Sequence, residues 1–450
     1  MLILSAYTAF LLLLGYFDFR KKEGLNGFLI ANRKASAKQV AFSMIATCVG
    51  GTATIGVAGN VMNKGFPAIW WLLSGALGLL ILSIFLTKII YRTGAMTLPE
   101  IAQHFISKPA RKMSAVVISI AWCAILAAQF SACANIISVF GISFNHALIC
   151  SALVIILYTA LGGQASVIKS DVYQYLLVIL AFVGVLIWLL STQPDSIKQI
   201  PIELVNDRFT YQDIGYYLLF IGTSYIIDPM LFSRVLSAKD EKTAFIGSIW
   251  GAIGIAISGI VIVCVGFGAL SLLHHTQIAS DQLLTQGLIP QLPPILGVIL
   301  LLGLLSAIIS SADTCLITAS SVFAHDIVGT RKVSRHRTMT WIFGGIAFYL
   351  AAQGGSILNY LLAANDLFVG GVAIPLFFAM IFKGKINKQL LLFAMLCGGG
   401  LGLVSALGSL LDAGGYWDSK QYSIYGIVLS VLLSISAYGL YQMQNKFCRK

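Results

Sequence analysis

The sequence predicts an all-α polytopic membrane protein. Of its 450 residues, 58% are hydrophobic and only 10% are charged, a composition that no soluble domain of this length needs. Thirteen apolar segments are long enough to cross a bilayer as helices: 2–17, 38–62, 66–92, 112–140, 143–163, 171–192, 213–236, 243–272, 289–327, 336–353, 356–382, 388–411 and 422–442. The segments between them are too short to form an enzyme domain, so we expect a protein that is not an enzyme.

The first apolar segment is expected to remain in the protein as a helix. Its basic residues, Arg20, Lys21 and Lys22, follow the segment instead of preceding it. No small-residue cleavage pattern comes after it, so the sequence does not predict a signal peptide here.

The net charge of +12 is explained by the positions of the basic residues. If the loops alternate across the membrane, one side holds only four of the 29 basic residues, namely Lys64, Lys198, Arg208 and Lys420. The positive-inside rule places the richer side in the cytoplasm. We therefore expect a cell inner (plasma) membrane protein with its amino terminus outside and its carboxyl terminus in the cytoplasm. The bilayer accounts for the charge, and no nucleic-acid partner is needed.

Two apolar segments contain residues that interrupt a helix. Adjacent glycines, Gly50 and Gly51, lie in the middle of the second segment, where helix propensity is lost and backbone carbonyls can be freed. The seventh segment is interrupted by Asp228 and Pro229, because proline cannot donate to the helical hydrogen-bond ladder. Glycines that allow close packing and a simple proline kink are the alternative explanation. The two breaks are five helices apart, which favours an inverted-repeat transporter with its site at the breaks.

A polar stripe runs along the ninth segment. At 100° per residue, one narrow face of a helix over residues 305–326 carries Ala307, Ser311, Thr314, Thr318, Ser321 and His325, with Ser310 and Asp313 beside them. Hydroxyls and a carboxylate are costly in hydrocarbon unless they face a bundle interior. The stripe therefore predicts an ion or substrate pathway.

Four short strings resemble the sodium:solute symporter family, which includes sodium/glucose, sodium/proline, sialic acid and choline cotransporters. They are Thr97–Glu100, Tyr158–Gly163 leading to Asp171, Arg234–Lys239 and Ala307–Ser311. The resemblance implies a LeuT-type fold, a 5+5 inverted repeat with one preceding and two following helices. In this sequence the leading helix would be residues 2–17, repeat one 38–192, repeat two 213–382, and the extra helices would lie within 388–442.

The resemblance also implies Na+ as the coupling ion and a set of ligands for it. These are the backbone carbonyls of Ala46, Val49 and Ala307 and the hydroxyls of Ser310 and Ser311. Neutral oxygens of this kind suit a hard monovalent cation and bind it weakly enough to let it leave. The alternative is that the serine hydroxyls only bond the preceding helical turn.

A second cation site is implied at Asp171, Asp313 and Thr314. The family members that have such a site use a hydroxyl where this chain has Asp313. Two nearby carboxylates repel unless a cation lies between them or one is protonated. Asp313 therefore favours a second cation, a proton or a cationic substrate. Alternatively, Asp171 pairs with Lys169 or caps a helix start through Ser170, and Asp228 pairs with Arg234.

The substrate is expected to be a small organic solute, with an amine or an amino acid favoured. The string Ser310–Thr314 looks closest to the choline-type branch, although that branch has an aromatic residue where Cys48 stands. Sugar-type members place a polar pair at Thr52 and Ala53, which makes a sugar less favoured. The candidate substrate-binding residues are Gly50, Gly51, Thr52, Ala53, Trp70, Trp71, Gln129, Ser224, Tyr225 and Asp366.

The leading functional interpretation is sodium-coupled uptake by alternating access. The partners would be the solute, Na+ and the lipid bilayer, and we expect the monomer to be functional. Two alternatives stay open at this point. One is a channel or substrate-sensing module without coupled transport, although a channel needs a continuous polar pore instead of occluding breaks. The other is a transporter driven by protons.

Overall fold

The computed structural model describes residues 2–21, 24–194, 200–273, 278–354, 357–410 and 419–447. Within these ranges the chain is helical, with two isolated β-bridges, Ala35 to Ala238 and Asn206 to Phe209. Some residues used in the charge argument lie outside them: Lys22, Lys198, Arg449 and Lys450.

The helices follow one another along the whole chain. The first nine are α1 (Leu2–Arg20), α2 (Leu25–Ile30), α3 (Ala37–Cys48), α4 (Val57–Lys64), α5 (Trp70–Ile81), α6 (Thr87–Arg92), α7 (Leu98–Phe105), α8 (Lys108–Ser138) and α9 (Phe144–Thr192). The next ten are α10 (Tyr211–Tyr217), α11 (Thr223–Ile226), α12 (Pro229–Ser237), α13 (Glu241–Ser271), α14 (Pro294–Val322), α15 (Val333–Ala352), α16 (Ile357–Phe368), α17 (Ile374–Ile381), α18 (Lys388–Leu410) and α19 (Ser419–Phe447).

Shorter helical turns connect several of these helices. Turns of π type cover Thr52–Gly56, Leu82–Leu86, Leu218–Gly222, Leu283–Leu288, Phe323–Ile327 and Val369–Ala373. Turns of 3-10 type cover Ala31–Arg33, Phe66–Ile69, Ser280–Gln282 and Ile289–Gln291. Wider turns of the π type occur often at functional sites.

The predicted count of thirteen spans is not confirmed. In the described part of the chain, nine helical segments are long and apolar enough to cross a membrane, or ten if the bent pair Ala37–Cys48 and Thr52–Lys64 is one span. The fifth and sixth predicted spans form the single helix α9, which has a non-helical residue at Gly163. The first and tenth predicted spans correspond to the helices α1 and α15, which are not among these nine or ten segments.

Gly163 is required where α9 bends. Its φ is +61°, a conformation that glycine adopts without steric cost. A Cβ at this position would lie 2.6 Å from the ring of Phe28. The bend directs the following residue, Gln164, into the buried interior.

Both predicted helix breaks are present. Between α3 and the π turn at Thr52 the helix axis bends by 60°. In the seventh span, α11 ends at Ile226 and α12 begins at Pro229, with extended backbone at Asp228. The division into two five-helix repeats stays a prediction.

The helix α14 lies at the centre of the molecule. Every residue from Gly303 to Val322 is buried, and the helix packs mainly against α9 and α8 and also against α3. Large apolar side chains such as Leu180, Ile187 and Trp250 are about 60% exposed on the outer helices. An apolar exterior around a core that contains polar groups is the arrangement expected in a bilayer.

Candidate cation and solute site

At the break after α3, several backbone carbonyls do not accept a regular helical hydrogen bond. The regular ladder stops at the Val49 N–H, which donates to the Ile45 carbonyl at 2.7 Å. It resumes where the Thr54 N–H donates to the Gly50 carbonyl at 2.9 Å. The carbonyls of residues 46–49 therefore lie at the break, where they can accept hydrogen bonds or bind a cation.

Ser311 faces this break from α14. Its hydroxyl lies 3.1 Å from the Thr47 carbonyl oxygen and 3.3 Å from the Ala307 carbonyl oxygen. A Cβ at Gly50 would lie 2.1 Å from the Ser311 Oγ, so a glycine is needed for this close approach. The predicted ligand residues Ala46, Val49, Ala307 and Ser311 are all buried, and Ser311 and the Ala307 carbonyl lie beside the break. The Thr47 carbonyl, which the sequence analysis did not select, belongs to the same group of oxygens.

Ser310 points to the neighbouring carboxylate. Its hydroxyl donates to the Asp171 Oδ1 at 2.6 Å, and the Ser43 hydroxyl donates to Asp171 Oδ2. Because the Ser310 proton is held by Asp171, the oxygen lone pairs of Ser310 stay available to a cation.

The predicted second cation site contains an arginine. The Arg234 Nη2 lies 3.1 Å from Asp171 Oδ2 and donates to the Thr314 Oγ1 at 2.7 Å, while Nε donates to the Ser43 Oγ at 2.9 Å. The side chains of Arg234 and Asp171 are fully buried. A metal cation at Asp171 and Thr314 would have to displace this guanidinium, so the geometry does not favour a second metal ion there.

This position of Arg234 corrects the sequence analysis in two respects. Arg234 was counted among the cytoplasmic loop charges, but it is a buried member of α12. The suggested pairs of Asp171 with Lys169 and of Asp228 with Arg234 are also wrong as direct contacts. Lys169 instead pairs with Asp18 at 2.6 Å, and the Asp228 Oδ1 caps α12 by accepting from the backbone N–H groups of Met230 and Leu231.

Asp313 has less hydrogen bonding than Asp171. Its Oδ1 accepts from the Thr314 hydroxyl at 3.3 Å. Its Oδ2 is buried and has no hydrogen-bond partner among the described residues. Of the two buried carboxyl groups, Arg234 therefore hydrogen-bonds to that of Asp171 and not to that of Asp313.

A cavity of about 800 Å³ reaches the break. Four of the predicted substrate-binding residues line it: Gly51, Thr52, Trp71 and Gln129. Its polar lining also includes residues that the sequence analysis did not select, namely Asn60, Ser131, Asn135, Ser138, Ser280, Asp281, Gln282, Thr285 and Gln286. Ser131, Asn135 and Ser138 share one face of α8 at the spacing i, i+4, i+7, a polar periodicity that could have indicated them. The spacing of the sequence does not connect this face to Asn60 of α4 or to the two turns after α13.

The other predicted substrate-binding residues do not line this cavity. Gly50 lies against Ser311, and Ala53 is buried. The Trp70 Nε1 donates to the Leu204 carbonyl at 2.9 Å, and the Ser224 hydroxyl donates to the Ile221 carbonyl at 2.8 Å.

Tyr225 and Asp366 are the last two predicted substrate-binding residues, and both contact other helices. Tyr225 lies against Gly75 of α5. Asp366 accepts hydrogen bonds from Ser405 of α18 and Ser423 of α19.

Curated relatives are similar over most of the chain. The sodium/pantothenate symporter of Haemophilus influenzae is 23% identical over 448 residues, which cover 94% of this chain and 85% of that protein. The sodium/proline symporter 2 of Staphylococcus saprophyticus is 23% identical, covering 78% of this chain and 73% of the relative. A sodium/proline symporter of Staphylococcus aureus is 24% identical with the same coverage.

Solved structures share the fold. A Na+-coupled sialic acid symporter in a substrate-bound outward-open state aligns with a TM-score of 0.78 and 16% identity, covering 97% of this chain and 96% of the other. Mhp1, a nucleobase-cation-symport-1 family transporter in a closed conformation, aligns with a TM-score of 0.60 and 12% identity, covering 93% and 95%. MhsT in complex with L-phenylalanine aligns with a TM-score of 0.56 and 12% identity, covering 90% and 98%.

The family itself is established by a match over most of the sequence. The profile of the sodium:solute symporter family matches residues 28–398, which include both helix breaks, the serine pair and the buried arginine. The protein therefore belongs to the sodium:solute symporter family and is a membrane transporter, not an enzyme.

Proposed function

We propose that this protein takes up a small neutral or cationic solute together with one Na+ per cycle. The observation that carries this proposal is the broken helix α3 facing Ser311 of α14, with the large polar cavity reaching the same break. In alternating access, solute and ion bind at such a midplane site while one side of the protein is closed.

The sodium ligands in this proposal are all neutral oxygens. They would be the carbonyls of Ala46, Val49 and Ala307 and the hydroxyls of Ser310 and Ser311, on α3, at its end and on α14. Ser310 contributes its oxygen while its proton stays on the hydrogen bond to Asp171. Such a site binds Na+ without a fixed charge in direct contact, so the ion can leave again.

A single Na+ is favoured because Arg234 already supplies a positive charge at Asp171. Its guanidinium makes hydrogen bonds to Asp171, Thr314 and Ser43. Removing one partner of a buried ion pair costs about 3–5 kcal/mol, so a second Na+ at Asp171 would compete against a well-bound cation.

The cavity lining favours an amine or a hydroxyl-bearing solute. The Gln129 Oε1 and the Ser131 Oγ are buried and lack hydrogen-bond partners among the described residues, and both residues line the cavity. Gln129 offers an acceptor to an ammonium, hydroxyl or amide N–H group. Among the described residues, the lining includes the carboxylate of Asp281 and no lysine or arginine, so the described part of the lining offers no such cation to a carboxylate on the solute. We therefore favour an amine over an amino acid.

The cavity is proposed to open toward the outside. Several lining residues, among them Phe144, Asp281 and Gly354, fall in or beside loops that the positive-inside rule places outside the cell. A cysteine that replaces Asp281 should react with an impermeant thiol reagent added to intact cells, whereas one that replaces Arg335 should not. Labelling at Arg335 would overturn the orientation.

Binding to purified protein tests the coupling ion and the solute together. The thermal unfolding midpoint should rise with NaCl and not with KCl at equal ionic strength. In a screen of amines and carboxylates, an amine should raise it further in the presence of Na+. In Gln129→Leu the sodium effect should persist while the solute effect is lost.

Proton coupling is the alternative that one observation favours, because Asp313 Oδ2 has no hydrogen-bond donor among the described residues. Stabilisation that depends on pH but not on Na+ would support it. A solute flux that runs without any ion gradient and does not saturate would support a channel.

A further inference from the structure

The leading helix α1 lies beside α9, the helix that carries Asp171, and packs against it. Near the carboxyl end of α1, the Asp18 carboxylate pairs with the Lys169 ammonium at 2.6 Å. Near its amino end, the Tyr7 side chain is partly buried against the core. The family profile matches residues 28–398 and does not include this helix.

The Tyr7 hydroxyl links α9 to α14. The Ser306 hydroxyl of α14 donates to the Tyr7 Oη at 2.9 Å, and the Gln174 Nε2 of α9 donates to the same oxygen at 3.2 Å. Ser306 and Gln174 are buried, with 0% and 1% of each residue exposed. A phenol hydroxyl can both accept and donate hydrogen bonds, so one side chain of a third helix bridges these two.

This bridge lies one helical turn from the carboxylate that holds Ser310. Ser306 precedes Ser310 by four residues on α14. Gln174 follows Asp171 by three residues on α9. Residues at these spacings share one face of a helix, and the Ser310 hydroxyl donates to the Asp171 Oδ1 at 2.6 Å. The helices α9 and α14 are therefore joined in two successive layers, one by Ser310 and Asp171 and the other by Tyr7.

We propose that Tyr7 is a positioning residue for the sodium site. Its hydroxyl holds α9 and α14 at the separation at which Asp171 keeps the Ser310 proton, so the Ser310 oxygen is oriented before Na+ binds. Tyr7 itself does not contact the ion. Order that exists before binding need not be created by the ligand, and this raises affinity. The inference rests on the sodium-coupled function proposed above.

Anchoring of α1 in the helix bundle is the competing explanation for these contacts. Hydrogen bonds between membrane helices hold them together whatever their function. However, the pair of Asp18 and Lys169 already holds the other end of α1 to α9, whereas Tyr7 also reaches α14 beside the site. The two explanations differ in what they predict for sodium affinity.

Tyr7→Phe tests the proposal, because it removes the hydroxyl and keeps the ring. The sodium concentration that gives half of the thermal stabilisation, measured with KCl added to constant ionic strength, should rise about threefold. This change corresponds to about 0.6 kcal/mol, the average contribution of a hydrogen bond between membrane helices. Ser306→Ala removes the same bond from α14 and should give a similar rise, so it replaces Tyr7→Phe if that variant does not fold.

Two matched variants separate positioning from a general loss of stability. Tyr175→Phe removes another buried tyrosine hydroxyl of α9, which lies 3.0 Å from the Ser258 Oγ of α13. Asp18→Asn removes the charge that pairs with Lys169 at the other end of α1. Both should leave the half-stabilising sodium concentration unchanged, whatever they do to the unfolding midpoint without Na+. An equal rise in either control would overturn the proposal.

A double variant tests whether Tyr7 acts through Ser310. When Ser310 is already alanine, adding Tyr7→Phe should cause no further rise in the half-stabilising sodium concentration, because the oxygen that Tyr7 orients is absent. A full additional threefold rise in this background would overturn the proposed route.

The sodium dependence of the unchanged protein separates failure of this inference from failure of the proposed function. If Na+ stabilises the unchanged protein and the folded variants Tyr7→Phe and Ser306→Ala need the same sodium concentration, only the positioning role of Tyr7 is overturned. If Na+ does not stabilise the unchanged protein at any concentration, the sodium-coupled function fails, and the role of Tyr7 fails with it.

Discussion

Ser311→Ala is the substitution that tests the proposed sodium site most directly. The Ser311 hydroxyl lies between the carbonyl oxygens of Thr47 and Ala307 and can donate to only one of them at a time. Without a bound ion it therefore contributes a neutral hydrogen bond, about 1 kcal/mol. In the proposed site its oxygen is one of the Na+ ligands.

The expected loss of sodium affinity follows from the strength of a polar contact to a charge. Such a contact contributes about 1.5–3 kcal/mol, so the apparent sodium affinity of Ser311→Ala should fall about ten- to a hundredfold. Ser310→Ala should behave differently. It also removes the hydrogen bond to Asp171, so the free energy of unfolding without Na+ should fall by about 1.5–3 kcal/mol as well.

Unfolding midpoints of the purified variants, measured against NaCl with KCl added to constant ionic strength, give both quantities. Ser320→Ala is the matched control, because this buried hydroxyl of α14 donates to the Leu316 carbonyl at 2.7 Å, away from the break. The proposed site would be refuted if Ser311→Ala needed the same NaCl concentration as the unchanged protein for half of the stabilisation. It would also be refuted if Ser320→Ala lost as much apparent sodium affinity as Ser311→Ala.

Three further substitutions test the buried charges and the backbone. Asp171→Asn should lower the free energy of unfolding by about 3–5 kcal/mol, because Arg234 keeps its charge and loses its partner; denaturant unfolding measures this, and a loss under 1 kcal/mol would contradict the pair. Gly163→Ala should destabilise more than Gly94→Ala: both residues have positive φ, but only Gly163 has a neighbouring ring in the way of a Cβ. For Glu100, burial raises the pKa, but the bonds from His325 and from the Met96 N–H and the charges of His325 and Arg111 hold it below its ordinary value. The unfolding midpoint of the unchanged protein should therefore exceed that of Glu100→Gln at pH values above the ordinary glutamate pKa of about 4.3. This difference should vanish as the pH falls through the lowered pKa of Glu100. A difference that grows on acidification would contradict the lowered pKa.

The polar stripe and the helix breaks could be predicted from local sequence. The residues of a helix share a face at a known spacing, so the relation among Ser311, Thr314, Thr318 and Ser321 follows from their numbers. Adjacent glycines and the Asp228–Pro229 pair interrupt a helix wherever it is located. The spacing along a helix and the helix breaks each depend only on residues within about one helical turn of one another.

The number of spans was less predictable. A hydropathy profile separates the segments on either side of residues 164–170, but these residues continue helically in α9 after the bend at Gly163. Burial inside the bundle lets Gln164, Ser166 and Ser170 lie within a long helix, because they find partners there. Local hydropathy does not contain that information.

The sequence by itself determined the class of the protein, the family resemblance and the two helices of the proposed sodium site. Only the tertiary structure decided the charges at that site. Arg234 lies near the end of the apolar segment 213–236 and was counted as a loop charge, yet on α12 it contacts Asp171, 63 residues earlier in the chain. The physical reason is that a buried charge is stable only beside its partner, and which partner it meets depends on how distant helices pack, not on its neighbours in sequence.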